Sequence, residues 1–300
     1  MRRFRVVDVL LLLLTVLPIV FGMVLKILIT PLSEGITIVG ARVYFTLPTP
    51  IQPLPITETQ LHSLLVLLSL TGLCLYLTHG IRAGVSTKRQ LVAEWIVEKV
   101  EGLVSENMGE YFRGFAPFVA AILGLSGVSS LITLFGLYPP TSDFNNTCGW
   151  AILVFILITY YKCKGGMGQY LKSFLEPIAP LAPLNVLSEF ATPISMAFRH
   201  YGNVLSGTVI SVLVATALQG LSSLLLGWLP GFLGEIPFLQ IGIPAVLSVY
   251  FDIFSGCMQA YIFAMLTMLN ISGGFPQELY EKRMREKEAK RQRRLAAKES

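Results

Sequence analysis

The amino-acid sequence predicts an all-α integral membrane protein with about six membrane helices, and three observations lead to that prediction. Of the 300 residues, 53% are hydrophobic and 14% are charged, whereas soluble domains average roughly 25% charged residues. Nearly uncharged stretches of 18 or more residues recur along the chain, and each is a candidate to cross a bilayer as a helix. Lysine and arginine gather in alternate connections between these stretches, which is typical of a multi-pass protein.

The apolar stretches define six spans by their length and lack of charge. They cover roughly residues 7–31, 60–81, 114–138, 148–165, 185–228 and 237–271. The first follows a basic N-terminus and resembles a signal peptide, but no A-x-A cleavage pattern comes after it. We therefore expect an uncleaved membrane helix there.

The distribution of lysine and arginine predicts the orientation of the chain. The N-terminus, the 82–113 connection, the segment after the fourth span and the tail beyond Asn270 are basic. The 32–58 loop has only Arg42, and the 139–147 and 229–236 connections have no lysine or arginine. Because basic connections stay on the cytoplasmic side, six crossings should leave both termini in the cytoplasm. We expect a multi-pass membrane protein.

The connections carry weaker signals. We expect a short hairpin in the proline-rich outer loop, 32–58, and an amphipathic helix in 87–112 that lies on the cytoplasmic membrane face or binds a partner. The tail from Glu278 to Ser300 is a mixed-charge helix or a disordered arm. We divide the chain into an N-terminal helix and loop (1–58), a membrane domain (59–272) and a basic tail (273–300). The four scattered cysteines form no zinc or redox motif.

The last two spans are too long for a vertical crossing. One crossing needs about 20 residues, whereas 185–228 holds about 44 and 237–271 about 35. Neither contains a polar loop, and a turn rich in proline and glycine joins them. We therefore expect an overlong, strongly tilted hairpin within the membrane.

Arg199 lies deep in the fifth span, where a permanent positive charge costs several kcal/mol. Ser195 and Asn203 lie four residues to either side, on the same helical face. Asp252 and Gln259 share a face of the last span, and Glu189 lies near the cytoplasmic end of the fifth. Carboxylates in apolar surroundings can exchange protons while a fixed cation repels them, so the set suits ion movement. The alternative interpretations are a structural salt bridge between Asp252 and Arg199, a solvated Glu189, and a role for Asn203 and Gln259 as interhelical contacts.

Three segments resemble subunit a of bacterial F-type ATP synthases. The first contains Pro193-Ile194-Ser195-Met196-Ala197-Phe198-Arg199-His200-Tyr201-Gly202-Asn203, similar to the family's Pro-Leu-Ser-Leu-Ser-Phe-Arg-Leu-Phe-Gly-Asn. The second is the turn Pro140-Thr141-Ser142-Asp143-Phe144-Asn145-Asn146-Thr147, and the third is Gln259-Ala260-Tyr261-Ile262-Phe263 followed by Leu266-Thr267. The resemblance runs in order from about residue 60 to 272.

This resemblance implies a non-catalytic, proton-translocating stator subunit beside a ring of c subunits. It implies that Arg199 faces the ring carboxylate between two half-channels and that Asn203 and Gln259 are its polar neighbours. Asp252 falls on the outer half-channel and Glu189 on the cytoplasmic exit, while Thr208 stands where some members have an outer glutamate. Further partners would be the b subunits of the peripheral stalk, the rest of the FoF1 complex and the lipid bilayer.

The chain departs from the family at His200, where leucine is usual, and at Tyr201. His200 points about 100° away from Arg199 and is either a titrating group or, more in keeping with its position, a packing imidazole. The basic N-terminus before an extra cytoplasmic start also differs from members whose N-terminus is outside.

Two other classes of function remain open from the residues. One is an independent secondary transporter whose intramembrane Arg199 binds an anionic substrate, although no internal repeat is apparent. The other is a structural anchor in which Arg199 forms a registry ion pair. The sequence has no GxxxxGK[ST] loop, so we expect nucleotide chemistry on partner subunits. We expect no cofactor and no nucleic-acid partner, and the choice between H⁺ and Na⁺ stays open.

Overall fold

The computed structural model describes most of the chain. The described residues are 6–29, 40–50, 52–81, 87–164, 166–175, 178–226, 228, 239, 242–278, 280–282 and 285. The predicted 229–236 turn and most of the predicted tail therefore lie outside the described residues.

The structure is built almost entirely from helices in chain order. They are α1 (Val6–Ile29), α2 (Glu58–Thr78), α3 (Lys88–Met108), α4 (Ala116–Leu131), α5 (Phe144–Lys164), α6 (Met167–Ser173), α7 (Ala182–Leu226), α8 (Ile243–Ser248) and α9 (Gly256–Gly274). A π-helix, Val249–Ser255, links α8 to α9. Short 3-10 turns occupy Glu110–Phe115, Ile132–Phe135, Pro140–Ser142 and Ala179–Leu181.

Six helical segments are long and apolar enough to cross a membrane, which confirms the predicted class and number of spans. They are Val6–Ile29, Glu58–Thr78, Glu110–Phe135, Phe144–Lys164, Ala182–Leu226 and Val249–Gly274. The fifth is a continuous helix of 45 residues, about twice what a vertical crossing needs. The strong tilt of a final hairpin stays a prediction, because no membrane defines a reference plane.

The outer loop contains the expected hairpin. Strands β1 (Val43–Leu47) and β2 (Leu54–Thr57) pair antiparallel. The second strand runs directly into α2, whose N-cap is Thr57 in an extended conformation. The Glu58 N–H donates to the Arg42 carbonyl oxygen over 2.8 Å, so the hairpin is fastened to the start of α2.

The N-terminal helix α1 packs closely along α2. A Cβ atom at Gly72 would lie 2.8 Å from the backbone nitrogen of Thr15, so only glycine allows this approach. The Ser69 hydroxyl donates to the Thr15 carbonyl oxygen over 2.6 Å. In the first turn of α1, Asp8 forms a 2.8 Å ion pair with Arg89 of α3. The extra helix is thus held to the membrane domain by packing and by charge.

The main apolar core lies around α9. Phe263, Met268 and Ile271 on that helix are at most 1% exposed, and Val119 of α4 and Val154 of α5 belong to the same cluster. The end of helix α3 enters this core through Val104 and Met108, so its apolar side is covered by other helices there. Earlier apolar residues on it, such as Trp95, stay exposed. The central helices therefore form a stable wall on which α7 can present polar groups.

Candidate functional site

The polar residues predicted on the last two long helices meet where α7 crosses α9. The Asn203 side-chain nitrogen (Nδ2) donates to Gln259 Oε1 over 2.6 Å. Gln259 is 2% exposed and points into the helix interface. This hydrogen bond joins the two helices at a level one turn beyond Arg199 along α7, about 6 Å away.

A small pocket lies on the far side of that hydrogen bond, toward the proline-rich loops. Its volume of 20 Å³ is room for about one water. Asp252, Gln259, Asn203 and Thr208 line it together with Pro139. Asp252 and Gln259 therefore share one cavity, and Thr208 faces it from α7. Because Pro139 belongs to a connection without basic residues, this pocket opens toward the predicted outer side.

Close helix contacts confine the outer pocket. A Cβ at Gly207 would come within 3.2–3.4 Å of the Phe251 side chain, and one at Gly256 would lie 2.6 Å from Ser130 Cβ. Glycine at these two positions lets α4, α7 and the π-helix approach each other around Asp252. The wider turns of a π-helix often occur at functional sites.

An open groove lies on the other side of the hydrogen bond, toward the predicted cytoplasmic face. It has a volume of 300 Å³ and is lined by Arg199, Ser195 and Thr192 of α7, with Asn270 of α9. The Arg199 side chain is exposed. Ser188 lines its far end, close to the N-terminal start of α7. Among the described residues none lines both cavities, so Arg199 and Asp252 stand on opposite sides of the Asn203–Gln259 bond.

Glu189 is paired with a lysine from the end of α5. Lys162 Nζ lies 2.8 Å from Oε1 and 2.7 Å from Oε2 of that carboxylate, and the Glu189 side chain is 13% exposed. The lysine stem rests on Gly274, where a Cβ would lie 2.8 Å from Lys162 Cε. A freely solvated Glu189 is therefore not what the structure shows. The carboxylate is half-buried near the N-terminal end of α7.

His200 turns away from both cavities. It is fully buried, and its Nε2 lies 3.4 Å from the Ser126 hydroxyl oxygen. Its ring meets the edges of Trp150 and Phe263 at centroid distances of 5.9 and 5.6 Å. The imidazole thus packs between α4, α5 and α9, as the packing interpretation predicts.

Asp143 stands at the start of α5, away from Arg199. Its Oδ1 accepts from the Asn145 N–H over 2.9 Å, and its Oδ2 accepts from the Thr59 hydroxyl over 2.7 Å. The first bond is typical of a residue that caps a helix N-terminus, and the second ties α5 to α2. Asp143 positions the outer ends of these helices.

Two features of the site escaped sequence reasoning. Lys162 appears in the sequence only as one of several basic residues after the fourth span, and its separation of 27 residues from Glu189 gives no local pattern. The π-helix around Asp252 also has no sequence periodicity of its own. In the sequence this π-helix is marked by one carboxylate, Asp252, and by Gly256 four residues later.

Comparison with known proteins gives a consistent result. The sequence profile of the family described as "ATP synthase A chain" matches residues 60–272. Similar proteins include ATP synthase subunit a of Acidothermus cellulolyticus, 32% identical over 71% of this chain and 74% of the relative. The Priestia megaterium subunit a is 35% identical over 60% and 75% of the two chains, and the Legionella pneumophila one 29% over 74% and 87%.

Proposed function

The chain belongs to the ATP synthase A chain family, and we propose that its two cavities are the half-channels through which protons reach and leave a rotating ring. It is a proton-translocating Fo stator subunit of a bacterial F-type ATP synthase and a multi-pass protein of the plasma membrane. The observation that supports the proposal is the placement of Arg199 and Asp252 in separate cavities on opposite sides of one interhelical hydrogen bond.

In the outer cavity, Asp252 is the group that can take up a proton and pass it on. The pocket is narrow, so water alone makes a poor continuous path and a carboxylate must bridge it. Thr208, Asn203 and Gln259 hold polar atoms along the same wall. A proton leaving Asp252 would neutralise the carboxylate of a neighbouring c subunit, which could then rotate into lipid without the cost of burying a charge.

Arg199 acts as a fixed electrostatic gate. Its guanidinium stays protonated at any physiological pH, so it repels protons and favours the ionised form of the ring carboxylate. Two unit charges about 4 Å apart attract by about 4 kcal/mol at an effective dielectric constant near 20. That energy biases the carboxylate by roughly three orders of magnitude toward releasing its proton.

The inner groove then serves as the exit. Its open volume admits water from the cytoplasmic face, past Ser195 and Thr192. Glu189 stands at the mouth, where Lys162 fixes the carboxylate in place. Its negative charge favours the departure of protons away from Arg199.

The assembly follows from the same premise. The exposed apolar faces of α7 would lie against the c ring and lipid, and b subunits of the peripheral stalk would hold this chain against rotation. Each proton crossing 100 mV releases about 2.3 kcal/mol, which is too little to make one ATP. Several protons must therefore cross for each ATP that is synthesised. The chain itself is non-catalytic in this scheme, nucleotide chemistry resides on partner subunits, and both termini lie in the cytoplasm.

The test is substitution of Arg199 in the intact complex. The complete synthase, reconstituted in liposomes, is given ATP, and acidification of the lumen is followed with a pH-sensitive dye. We expect Arg199→Ala to abolish ATP-driven proton pumping. The matched control is Arg113→Ala, which removes an exposed arginine paired with Glu101 at 3.2 Å outside both cavities. Full pumping by Arg199→Ala would contradict the proposal.

A further inference from the structure

Three titratable side chains meet at the outer end of α2, outside the path proposed so far. Glu58 is the first residue of α2, His62 follows one turn later on the same face, and Tyr44 comes from β1 of the adjoining hairpin. Glu58 is 5% exposed and His62 is 1% exposed. Buried ionisable groups in such a cluster need a physical reason.

One polar atom of each side chain is not used by the protein. Tyr44 Oη, Glu58 Oε1 and His62 Nε2 are all buried, and within the described part of the chain none has a hydrogen-bond partner of good geometry. The Tyr44 hydroxyl and the Glu58 carboxylate do lie close enough to interact. Burying a polar atom without a partner costs free energy. Three such atoms on neighbouring titratable groups therefore indicate a site that binds something, rather than a packing contact.

The hydrogen bond on the other side of the imidazole fixes which nitrogen can accept a proton. His62 Nδ1 lies 2.8 Å from the Tyr138 carbonyl oxygen. A carbonyl oxygen only accepts, so Nδ1 carries the hydrogen and Nε2 of the neutral ring presents its lone pair. Nε2 is thus a base held in a set orientation and able to take up a proton.

The same hydrogen bond connects the cluster to the outer pocket. Tyr138 is followed by Pro139, which lines the pocket that also contains Asp252. The neighbouring Thr59 hydroxyl reaches Asp143 on the far side of this turn. His62 is therefore hydrogen-bonded directly to the chain segment that forms the pocket wall.

Charges of both signs surround this place. The titratable and charged groups around His62 come from every element packed there: Lys26 from α1, Arg42 and Tyr44 from the hairpin, Glu58 from α2 and Asp143 from the turn before α5. Burial, followed by the nearby Glu58 carboxylate, raises the pKa of Tyr44 to about 12. The phenol therefore keeps its proton and can donate it in a hydrogen bond.

The donor set also distinguishes a proton from a hard metal ion. Hard cations such as Mg²⁺ and Ca²⁺ take oxygen ligands, and a sodium ion is expected to behave alike. Here one of the three available atoms is an imidazole nitrogen with a lone pair. A carboxylate and an imidazole side by side are typical of proton transfer.

We propose that Glu58, His62 and Tyr44 form a proton-collecting site at the outer mouth, which delivers protons from outside to the pocket of Asp252. This inference rests on the proposed function of the chain. It adds a proton-binding group that acts before Asp252. The range of external pH in which the synthase works would then depend on His62.

The experiment measures ATP synthesis by the complete synthase in liposomes whose lumen corresponds to the outer side. A potassium diffusion potential drives synthesis while the lumenal pH is varied from about 5 to about 8, the range in which histidine titrates. His62→Asn is the main variant, because its amide N–H can still donate to the Tyr138 carbonyl oxygen. We expect the ratio of variant to parent rate to fall as the lumen becomes alkaline, with the half-maximal rate moving about one pH unit toward acid.

Controls separate titration from packing. His79→Asn removes an exposed histidine at the opposite end of α2 and should leave the profile unchanged. Tyr44→Phe deletes a hydroxyl that interacts with the Glu58 carboxylate and keeps the aromatic ring, so it should assemble normally and shift the profile in the same direction by less. If His62→Asn does not assemble, Tyr44→Phe decides. A ratio that stays constant with lumenal pH would overturn the proposal.

Two further experiments identify the ion and distinguish a failure of this proposal from a failure of the proposed function. Replacing lumenal choline by sodium should not change the profile, and a shift with sodium would show a metal-ion site and overturn the proposal. Arg199→Ala should stop synthesis at every lumenal pH. Synthesis by that variant would refute the proposed function, whereas its loss together with a flat His62→Asn ratio would refute only the collecting site.

Discussion

The outer pocket and the inner groove differ in shape, and this difference predicts different roles for their acidic residues. The outer pocket has room for about one water and is enclosed by the close contacts of Gly207 and Gly256. The inner groove has more room for water, 300 against 20 Å³, and is more open. A proton in the narrow pocket needs a side chain to carry it, whereas water can carry it through the groove. We therefore expect Asp252 to matter more than Glu189.

The largest of these effects is expected for Asp252→Asn. The amide keeps the shape of the side chain but cannot release a proton, so ATP-driven pumping should fall by at least about tenfold. The measurement is dye-followed acidification by the reconstituted synthase. Glu106→Gln offers a control, because it makes the same change on an exposed carboxylate of α3 that lines neither cavity. Pumping with an unchanged rate and pH dependence would remove Asp252 from the path.

A smaller effect is expected from opening the barrier between the cavities. Asn203→Ala removes the 2.6 Å bond to Gln259 and leaves the amide oxygen of a buried side chain without its partner, at a cost of about 1–3 kcal/mol. We expect water to enter there and passive proton conduction to rise severalfold in liposomes holding the membrane sector alone. Ser206→Ala is the control, since its hydroxyl only bonds the Asn203 carbonyl on the same helix. Unchanged conduction would show that this bond is not part of the barrier.

A still smaller effect is expected at the inner mouth. Glu189→Gln should slow pumping by a few-fold at most, because the open groove conducts through water. Lys162→Met with Glu189→Gln removes both charges, so no half-buried charge is left alone, and should assemble better than either single variant. The yield of assembled complex and its pumping rate are the measurements. A loss by Glu189→Gln as large as that of Asp252→Asn would contradict the contrast between the cavities.

The smallest effect is expected at His200. His200→Leu replaces an imidazole whose Nδ1 has no hydrogen-bond partner among the described residues with an apolar side chain for an apolar site. The change leaves the buried Ser126 hydroxyl without its 3.4 Å neighbour, which costs at most about 1–3 kcal/mol. Pumping should therefore stay within about twofold, with a small fall in the melting temperature of the complex. Ser126→Ala, which removes the other partner of the 3.4 Å contact, should behave alike. A pH-dependent loss confined to His200→Leu would show that this imidazole titrates.

The sequence predicted the membrane fold well because apolar length and basic connections are local signals. The six spans and the hairpin before α2 follow from composition, proline spacing and span length alone. The stripe through Ser195, Arg199 and Asn203 follows from helical periodicity. These features depend on residues that are near each other in the chain.

The remainder of the site depends on contacts between distant helices. The Lys162–Glu189 pair, the Asn203–Gln259 bond and the division of one polar stripe into two cavities arise only when α5, α7 and α9 pack together. The π-helix likewise places Asp252 against α4 and α7 in a way that regular helical spacing does not predict. The cluster of Glu58 and His62 was hidden because each residue alone is an ordinary polar residue near a helix start.

Electron cryomicroscopy of the assembled synthase, at a resolution that shows ordered water, is the most direct measurement of the gate. We expect the Arg199 guanidinium to face a ring carboxylate, with water on either side and none crossing the Asn203–Gln259 bond. A guanidinium lying against lipid, or a continuous file of water running past it, would contradict the gate.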